Sequence, residues 1–556
     1  MFSRKNKATT DQYKENFLVD LKNQNDDLQT FPHPFIAVDY SDDNPPKTLV
    51  ELEMMQLSGC IRAKPKWYEK MKDENIRNKW KQEALEQGSL TEKQINYVLD
   101  ELQYYDSIRD DSMEMSAVDG VWQSDQLIPR DLKESFIKCV KKLEDIPESE
   151  FDWHPGTNKQ ILDLVHPSLF CFVNRISTII NEKDRVINVD NALEHIGGGE
   201  VININAKESS SEAKRLRFDD NYSRSDTYQW LPAEFNVSKD GQVKIESYIN
   251  NLHPIEHKEL YRLIGSICER FIPLFNKVLS DLIKNQNKPN RIIPDPYSWY
   301  DDADGGGEYD FYSRTLIIPD VGEFKMPSSA DPNIDLRGRR LQMIVKLANI
   351  ILTPENPKYP GGVWHVEGME NEHIVCTGIY YYHSSNLTQS NLQFRTAVGE
   401  PGYEQSDDRG VGAVYGLAND GPLNQEIGDI ITQEDRCIAF PNIYQHRVAP
   451  FQLKHPTQPG YRKILVFFLV DPTIRILSTA NIPPQQSHWL IDFIRSKPPF
   501  DKLPSIVVDK IMSYVDFPMS MKEAKQHREK LMEERKYFIS QNNERLFERP
   551  FSLCEH

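Results

Sequence analysis

The chain has 556 residues, of which 39 % are apolar, 10 % aromatic and 27 % charged; that is apolar enough for a sizeable core and argues against wholesale disorder. At roughly 100–200 residues per domain, about three structural units are expected. The formal net charge of -18 argues against a general phosphate-binding surface, because nucleic-acid recognition leans on clustered Lys and Arg.

Residues 1–150 read as a mostly helical region. Ser89 and Glu92 have the spacing of a capping box, ahead of Ile95, Val98, Leu99 and Leu102 at helical intervals. A second amphipathic helix is expected over 131–144, after Pro129. Residues 151–335 read as a helical and mixed region packed on the core. Within it, 205–227 is a polar insertion with a short basic cluster, Lys214, Arg215 and Arg217, expected to be a solvated loop. Residues 254–284 hold the longest helical pattern, which Pro273 is expected to kink or split. The acidic, glycine-rich 301–310 fails the calcium-loop template because its fifth position is Gly306.

From about 336 the texture changes to short apolar and β-branched runs: 341–353, 374–382 and 463–470. Turn-forming clusters separate them. The expected fold class is α+β, with a double-stranded β-helix (jelly-roll) core over 336–482 and extensive helical additions at both ends. Residues 483–556 form the C-terminal helical extension, with Ser520 and Glu523 capping a charged helix to about Phe538.

Seven widely spaced cysteines, at 60, 139, 171, 268, 376, 437 and 554, contain no Cys-x-x-Cys and suit reduced thiols in an intracellular protein. No apolar run is long enough for a membrane span, and the polar N-terminal residues contain no secretory signal. A cytoplasmic or nuclear location is therefore expected. No His-Glu-x-x-His, Gly-x-Ser-x-Gly or phosphate-loop motif is present, which removes zincin, α/β-hydrolase and P-loop chemistry.

The informative stretch is Pro360-Gly361-Gly362-Val363-Trp364-His365-Val366-Glu367-Gly368. In a strand, residues two apart share a face, so His365 and Glu367 would project together as a chelate for a divalent metal. His446 follows in Phe440-Pro441-Asn442-Ile443-Tyr444-Gln445-His446, and Arg462 opens the strand Arg462-Lys463-Ile464-Leu465-Val466. Two His and one carboxylate on one face of a metal is the ligand set of non-heme iron(II) oxygenases. Arg462 would offer a fixed cationic fork to a carboxylate at the deep end of the pocket. Arg462 shares a strand face with Ile464 and Val466, whereas Lys463 faces the other side. Arg462 is therefore the preferred anchor over Lys463.

The ordered set His365-x-Glu367, His446 and Arg462 resembles the iron(II)/2-oxoglutarate dioxygenases. The stretches at 160–169, 228–235, 247–254, 359–375 and 461–472 are similar to a largely fungal family, catalogued as a domain of unknown function and grouped with those enzymes. The resemblance covers most of the chain. It implies that His365, Glu367 and His446 bind Fe(II), and that Arg462 binds the distal carboxylate of the co-substrate 2-oxoglutarate. It implies that O₂ is consumed with release of succinate and CO₂, and that a small molecule or protein side chain is hydroxylated or demethylated. Most of the superfamily carries Asp where this chain has Glu367.

Two other readings compete. One is a non-catalytic binding or scaffold protein on the same fold. The other is a cupin-like metal enzyme, which gives Arg462 no role. His373 and His383 lie just beyond the His-x-Glu motif, and His373 is expected to hydrogen-bond in the core or at the rim rather than to ligate a metal. Packing is the default for Tyr380, Tyr381 and Tyr382, with at least one facing the pocket. Arg395 and Arg447 are candidates for pocket contact or for pairing with an acid. Trp364 and Val366 are expected in the core, and Cys376 and Cys437 as inert thiols. Nucleic acid and membrane are not expected partners. A dimer face and a core face look alike in one sequence, so no oligomeric state follows.

Overall fold

Alternate side chains of the apolar run near residue 465 enter two different hydrophobic layers. Leu465, Phe467 and Leu469 join one cluster, Val466 and Phe468 the other. That is the pattern of a strand covered on both faces. A computed structural model describes residues 31–35, 44–110, 112–180, 186–203, 223–283, 291–301, 311–327, 334–515 and 518–553.

Its elements include helices α1 (Leu49–Arg62), α2 (Glu92–Ile108), α3 (Arg130–Glu144), α4 (Lys258–Ile283) and α5 (Met521–Asn542), with strands β1 (Glu114–Met115), β2 (Trp122–Ser124), β3 (Ile161–Val165), β4 (Ala233–Val237), β5 (Val243–Ile245), β6 (Arg340–Leu352), β7 (Ile374–Ser385), β8 (Ser390–Ala397), β9 (Asn424–Thr432), β10 (Cys437–Pro441), β11 (Gln445–Val448) and β12 (Gly460–Val470). The main sheet runs β1-β2-β10-β7-β12-β6-β4-β5, with β3 also on β6. A smaller sheet runs β9-β8-β11. The neighbouring strands in both pair antiparallel. The fold is thus mixed helix and antiparallel sheet. Strands from 114–124, 161–165 and 233–245 belong to the main sheet, so it reaches beyond residues 336–482.

Between the two sheets lies one apolar layer. Ile344, Ile379, Tyr381, Ile438, Phe440, Val466 and Phe468 of the main sheet meet Leu392, Phe394, Ile427 and Ile430 of the smaller one. The outer face of the main sheet packs on α4 through Phe271, Phe275, Val278 and Leu279. Pro273 lies inside α4, yet the helix is single rather than split. Its ring removes one backbone donor, but burial of Phe271, Ile272, Leu274 and Phe275 around it holds the helix to the sheet.

Gly378 of β7 explains why α4 sits so close. A Cβ there would meet the rings of Phe271 and Phe275 at 2.8–2.9 Å. Gly378→Ala is expected to cost about 1–3 kcal/mol in a denaturant titration by overpacking this contact. An unchanged midpoint would show that the helix can retreat at no cost.

At α2 the cap differs from the expected one. Thr91, not Ser89, is the N-cap, and its reciprocal partner is Gln94 rather than Glu92. The apolar stripe Ile95, Val98, Leu99 and Leu102 is fully buried. Ser520 caps α5 with Glu523 as expected, and the helix runs to Asn542, beyond Phe538. Ala524 and Leu531 of α5 join the layer between the sheets. Arg528 bonds Asp152 at 2.5 Å, and Arg535 bonds Glu372 at 2.6 Å with its guanidinium 3.7 Å above the Trp230 ring. The C-terminal helix therefore closes one end of the inter-sheet layer. Residues 204–222, with Lys214, Arg215 and Arg217, and residues 302–310 lie outside the described part. Among the described residues no helix is long and apolar enough to cross a membrane.

Candidate metal centre

His365 and Glu367 do not lie on a regular strand. They sit in an extended segment joined to β11 by a single bridge at His365 and His446. The His365 amide donates to the His446 carbonyl at 3.2 Å, and the His446 amide returns a bond at 3.0 Å. Gly361 lets this segment approach closely. Its φ is +95°, and a Cβ there would lie 2.9 Å from the Val448 carbonyl oxygen.

The three side chains converge. Glu367 Oε1 lies 3.4 Å from His446 Nε2 and 3.7 Å from His365 Nε2. One ligating atom from each falls within 4.8 Å of the others, so the trio could hold a metal ion. His365 Nδ1 faces the Val363 carbonyl, an acceptor, at 2.8 Å, which turns Nε2 toward Glu367. His446 is held by the rings of Phe440, at 4.8 Å, and Phe394, at 6.4 Å. Side-chain exposure of 30 % at His365 against 5 % at His446 puts the open side of the centre at His365.

Electrostatics favour the ligating form at two of the three groups, Glu367 and His446. Burial pushes the Glu367 carboxyl up, but hydrogen bonds and charge from His365 and His446 outweigh it and hold Glu367 well below the usual range. Burial and repulsion from His365 lower His446, favouring its neutral, ligating form. Burial also pulls His365 down, yet the neighbouring Glu367 carboxylate leaves it raised overall.

Arg462 is 3 % exposed and reaches from β12 across to the smaller sheet. Its Nη1 donates to Ser390 Oγ at 2.7 Å and Thr432 Oγ1 at 3.0 Å. Its Nε has no hydrogen-bond partner, and no carboxylate lies within ion-pair distance among the described residues. The guanidinium sits 4.8 Å from the Phe451 ring and 5.5 Å from Tyr381. Burial draws its pKa below the ordinary value. A buried cation bonded only to hydroxyls lacks the counter-charge such groups normally have. Lys463 points the other way. Its ammonium meets both oxygens of Glu144 on α3, at 2.7 and 2.8 Å.

Other residues fall as follows. His373 packs its ring on His33 at 5.4 Å, outside the trio. His383 lies against Tyr461. Tyr381 enters the inter-sheet layer, while Tyr380 and Tyr382 join the layer under α4. Arg395 bonds Gln445 and Glu548, Arg447 bonds Gln393, and both lie over the Trp364 ring, at 5.0 and 4.3 Å. Trp364 is consequently half-buried between two arginines rather than in the core; Val366 is buried. Burial pushes the Cys376 and Cys437 thiols far up, as inert core thiols require.

Sequence reading missed Ser390, Thr432 and Asn442, short polar residues that no spacing singles out. It also missed a second cluster, His154, Asp163 and His166, whose ligating atoms lie within 4.8 Å. There His154 Nδ1 is already 2.8 Å from Asp163 Oδ2, a hydrogen-bond distance, and His166 Nδ1 accepts from the Ser168 amide at 3.2 Å.

Residues 92–492 match the family described as Protein of unknown function (DUF4246), and residues 8–83 match the Domain of unknown function DUF4246, N-terminal. The chain belongs to this family. No curated protein matches it. Among solved structures it is similar to a bsmA homolog from Methylobium petroleophilum PM1, at 11 % identity and TM-score 0.15 over 24 % of this chain and 42 % of the other. It is similar to IDO from Bacillus thuringiensis, at 11 % identity and TM-score 0.15 over 24 % and 48 %. It is also similar to the Fe(II)/(alpha)ketoglutarate-dependent dioxygenase TqaL, at 10 % identity and TM-score 0.21 over 64 % and 96 %. The chain spans under half the length of the first two of these structures.

Proposed function

We propose that the chain is an iron(II)- and 2-oxoglutarate-dependent oxygenase, and that its two facing antiparallel sheets form a double-stranded β-helix. The observation that carries this reading is the pairing of two unsatisfied groups. A two-His, one-carboxylate set offers an open face to a metal, and Arg462 offers a buried, unpaired guanidinium to an acid. A cupin-like metal centre leaves that Arg462 charge without a purpose.

His365, Glu367 and His446 would hold Fe(II), and Arg462, with Ser390 and Thr432, would hold the distal carboxylate of 2-oxoglutarate. Bound iron would supply the oxidising chemistry, consuming O₂ and 2-oxoglutarate with release of succinate and CO₂. The chain's own contribution is placement. The Val363 carbonyl would fix the His365 tautomer and Arg462 one end of the co-substrate, while the rings of Phe394 and Phe440 pack on His446 and those of Tyr381 and Phe451 on Arg462. The oxidised substrate is a small molecule or a protein side chain, consistent with a net charge of -18 that disfavours nucleic acid. The location is cytoplasmic or nuclear.

The test is an anaerobic titration of the metal-free protein with Fe(II) and 2-oxoglutarate. A visible metal-to-ligand charge-transfer band is expected, saturating at one equivalent of each. A folded protein that gives no band overturns the reading and leaves the non-catalytic scaffold in its place.

A further inference from the structure

Glu367 supplies the only carboxylate of the trio, yet its peptide belongs to no strand. Among the described residues no backbone group bonds its N–H or C=O. Both are taken by one side chain. Asn442 Oδ1 accepts from the Glu367 amide at 2.9 Å, and Asn442 Nδ2 donates to the Glu367 carbonyl at 2.9 Å. The same Nδ2 donates to the Ile374 carbonyl at 2.9 Å, and the Asn442 amide donates to Val375 at 2.9 Å. Asn442 is 1 % exposed. Three of the four bonds an amide side chain can make are therefore committed, in a dry setting where each is costly to lose.

The position of Asn442 matters as much as its bonds. It lies in the turn between β10 and β11, four residues before His446. One side chain thus ties the backbone of the carboxylate ligand to the turn that carries a histidine ligand, and to the start of β7. A Glu carboxylate stands one methylene further from its backbone than an Asp carboxylate and has one more rotatable bond. Its Cα must be held in a fixed place for the oxygen to meet both imidazoles.

We infer that Asn442 is a positioning residue for the metal centre: its amide replaces a neighbouring strand for Glu367 and sets that carboxylate against His365 and His446. This rests on the metal-centre reading above. Partners that orient ligands typically cost 10- to 100-fold in metal affinity when removed, which is about the effect expected.

Co(II) is the probe, because it takes the same donors and reports their geometry in its visible spectrum. Asn442→Ala is expected to bind Co(II) about 10- to 100-fold more weakly, with an altered ligand-field spectrum at saturation. Asn250→Ala is the structural comparison. Asn250 is a buried amide that likewise bonds two backbone carbonyls, those of Leu169 and Phe170, away from the centre. It should lower the unfolding midpoint while leaving Co(II) affinity and spectrum as in the wild type. Equal affinity and spectrum in Asn442→Ala would overturn the inference, and so would an equal loss in Asn250→Ala. Wild-type protein that binds no Co(II) would instead sink the metal-centre reading itself. Should Asn442→Ala not fold, hydrogen exchange on the wild type decides. Saturating Co(II) is expected to slow exchange at 365–368 and at 440–444 together, and slowing confined to the first segment overturns the coupling.

Discussion

His446→Ala is expected to lose the charge-transfer band and to weaken Fe(II) binding by at least about 100-fold, the upper end of what loss of a mere supporting partner costs. The reason is the division of labour in the trio. Glu367 Oε1 is nearer to His446, at 3.4 Å, than to His365, at 3.7 Å, so removing His446 leaves the carboxylate a single, more exposed neighbour. Two donors do not fix a cation that three hold on one face. The fold should persist, because the pairing of residues 365 and 446 runs through backbone groups that the substitution keeps. Loss of a ring packed against Phe440 and Phe394 will lower stability, so His446→Gln, closer in volume, belongs beside it. Both variants should fold and neither should give the band. A normal band in either would remove His446 from the centre.

Much of this architecture was legible because strands buried on both faces announce themselves. The run from Lys463 to Val470 is apolar at nearly every position, and it lies centrally, between β7 and β6. The stripe over Leu260–Leu282 gave α4 for the same reason. What a one-dimensional pattern cannot weigh is competition from tertiary contacts. Pro273 signals a break, but the apolar faces of Phe271 and Phe275 held against Gly378 outweigh one missing hydrogen bond. At the start of α2 the helix begins at Glu92, which makes Thr91 the cap, with Gln94 returning the bond, in place of the expected Ser89 and Glu92. At the candidate metal centre, the sequence order of His365, Glu367 and His446 pointed to a convergent trio, but the expected strand was absent. His365 and Glu367 share a face because one bridge and one asparagine put them there. Short polar residues such as Asn442, Ser390 and Thr432 escape sequence reading, since their meaning lies in what distant segments bring to them.

Arg462→Met carries the second large prediction, and it has two opposite signs. In the absence of ligand the guanidinium is a buried cation with two hydroxyl partners, an unpartnered Nε and no carboxylate. Holding it there costs folding free energy, because removal from water is not offset by an opposite charge. An apolar side chain of similar length fits among Ile350, Phe451 and Tyr381, so metal-free Arg462→Met should be more stable than the wild type by about 1–3 kcal/mol. Binding moves the other way. Truncating one partner of a buried, hydrogen-bonded charge pair costs about 2–4 kcal/mol, which is roughly 30- to 1,000-fold in the Kd for 2-oxoglutarate. Fe(II) affinity should change little, since Arg462 is not among the three ligands. A thermal melt reads both effects. Added to protein already saturated with Fe(II), 2-oxoglutarate should raise the midpoint of the wild type further and leave that of Arg462→Met nearly unmoved. Lys463→Met should behave in reverse, losing stability with its Glu144 pair while binding 2-oxoglutarate normally. A variant at 462 that is less stable without ligand, and that binds 2-oxoglutarate as the wild type does, would make Arg462 a structural residue and remove the main support for a carboxylate co-substrate.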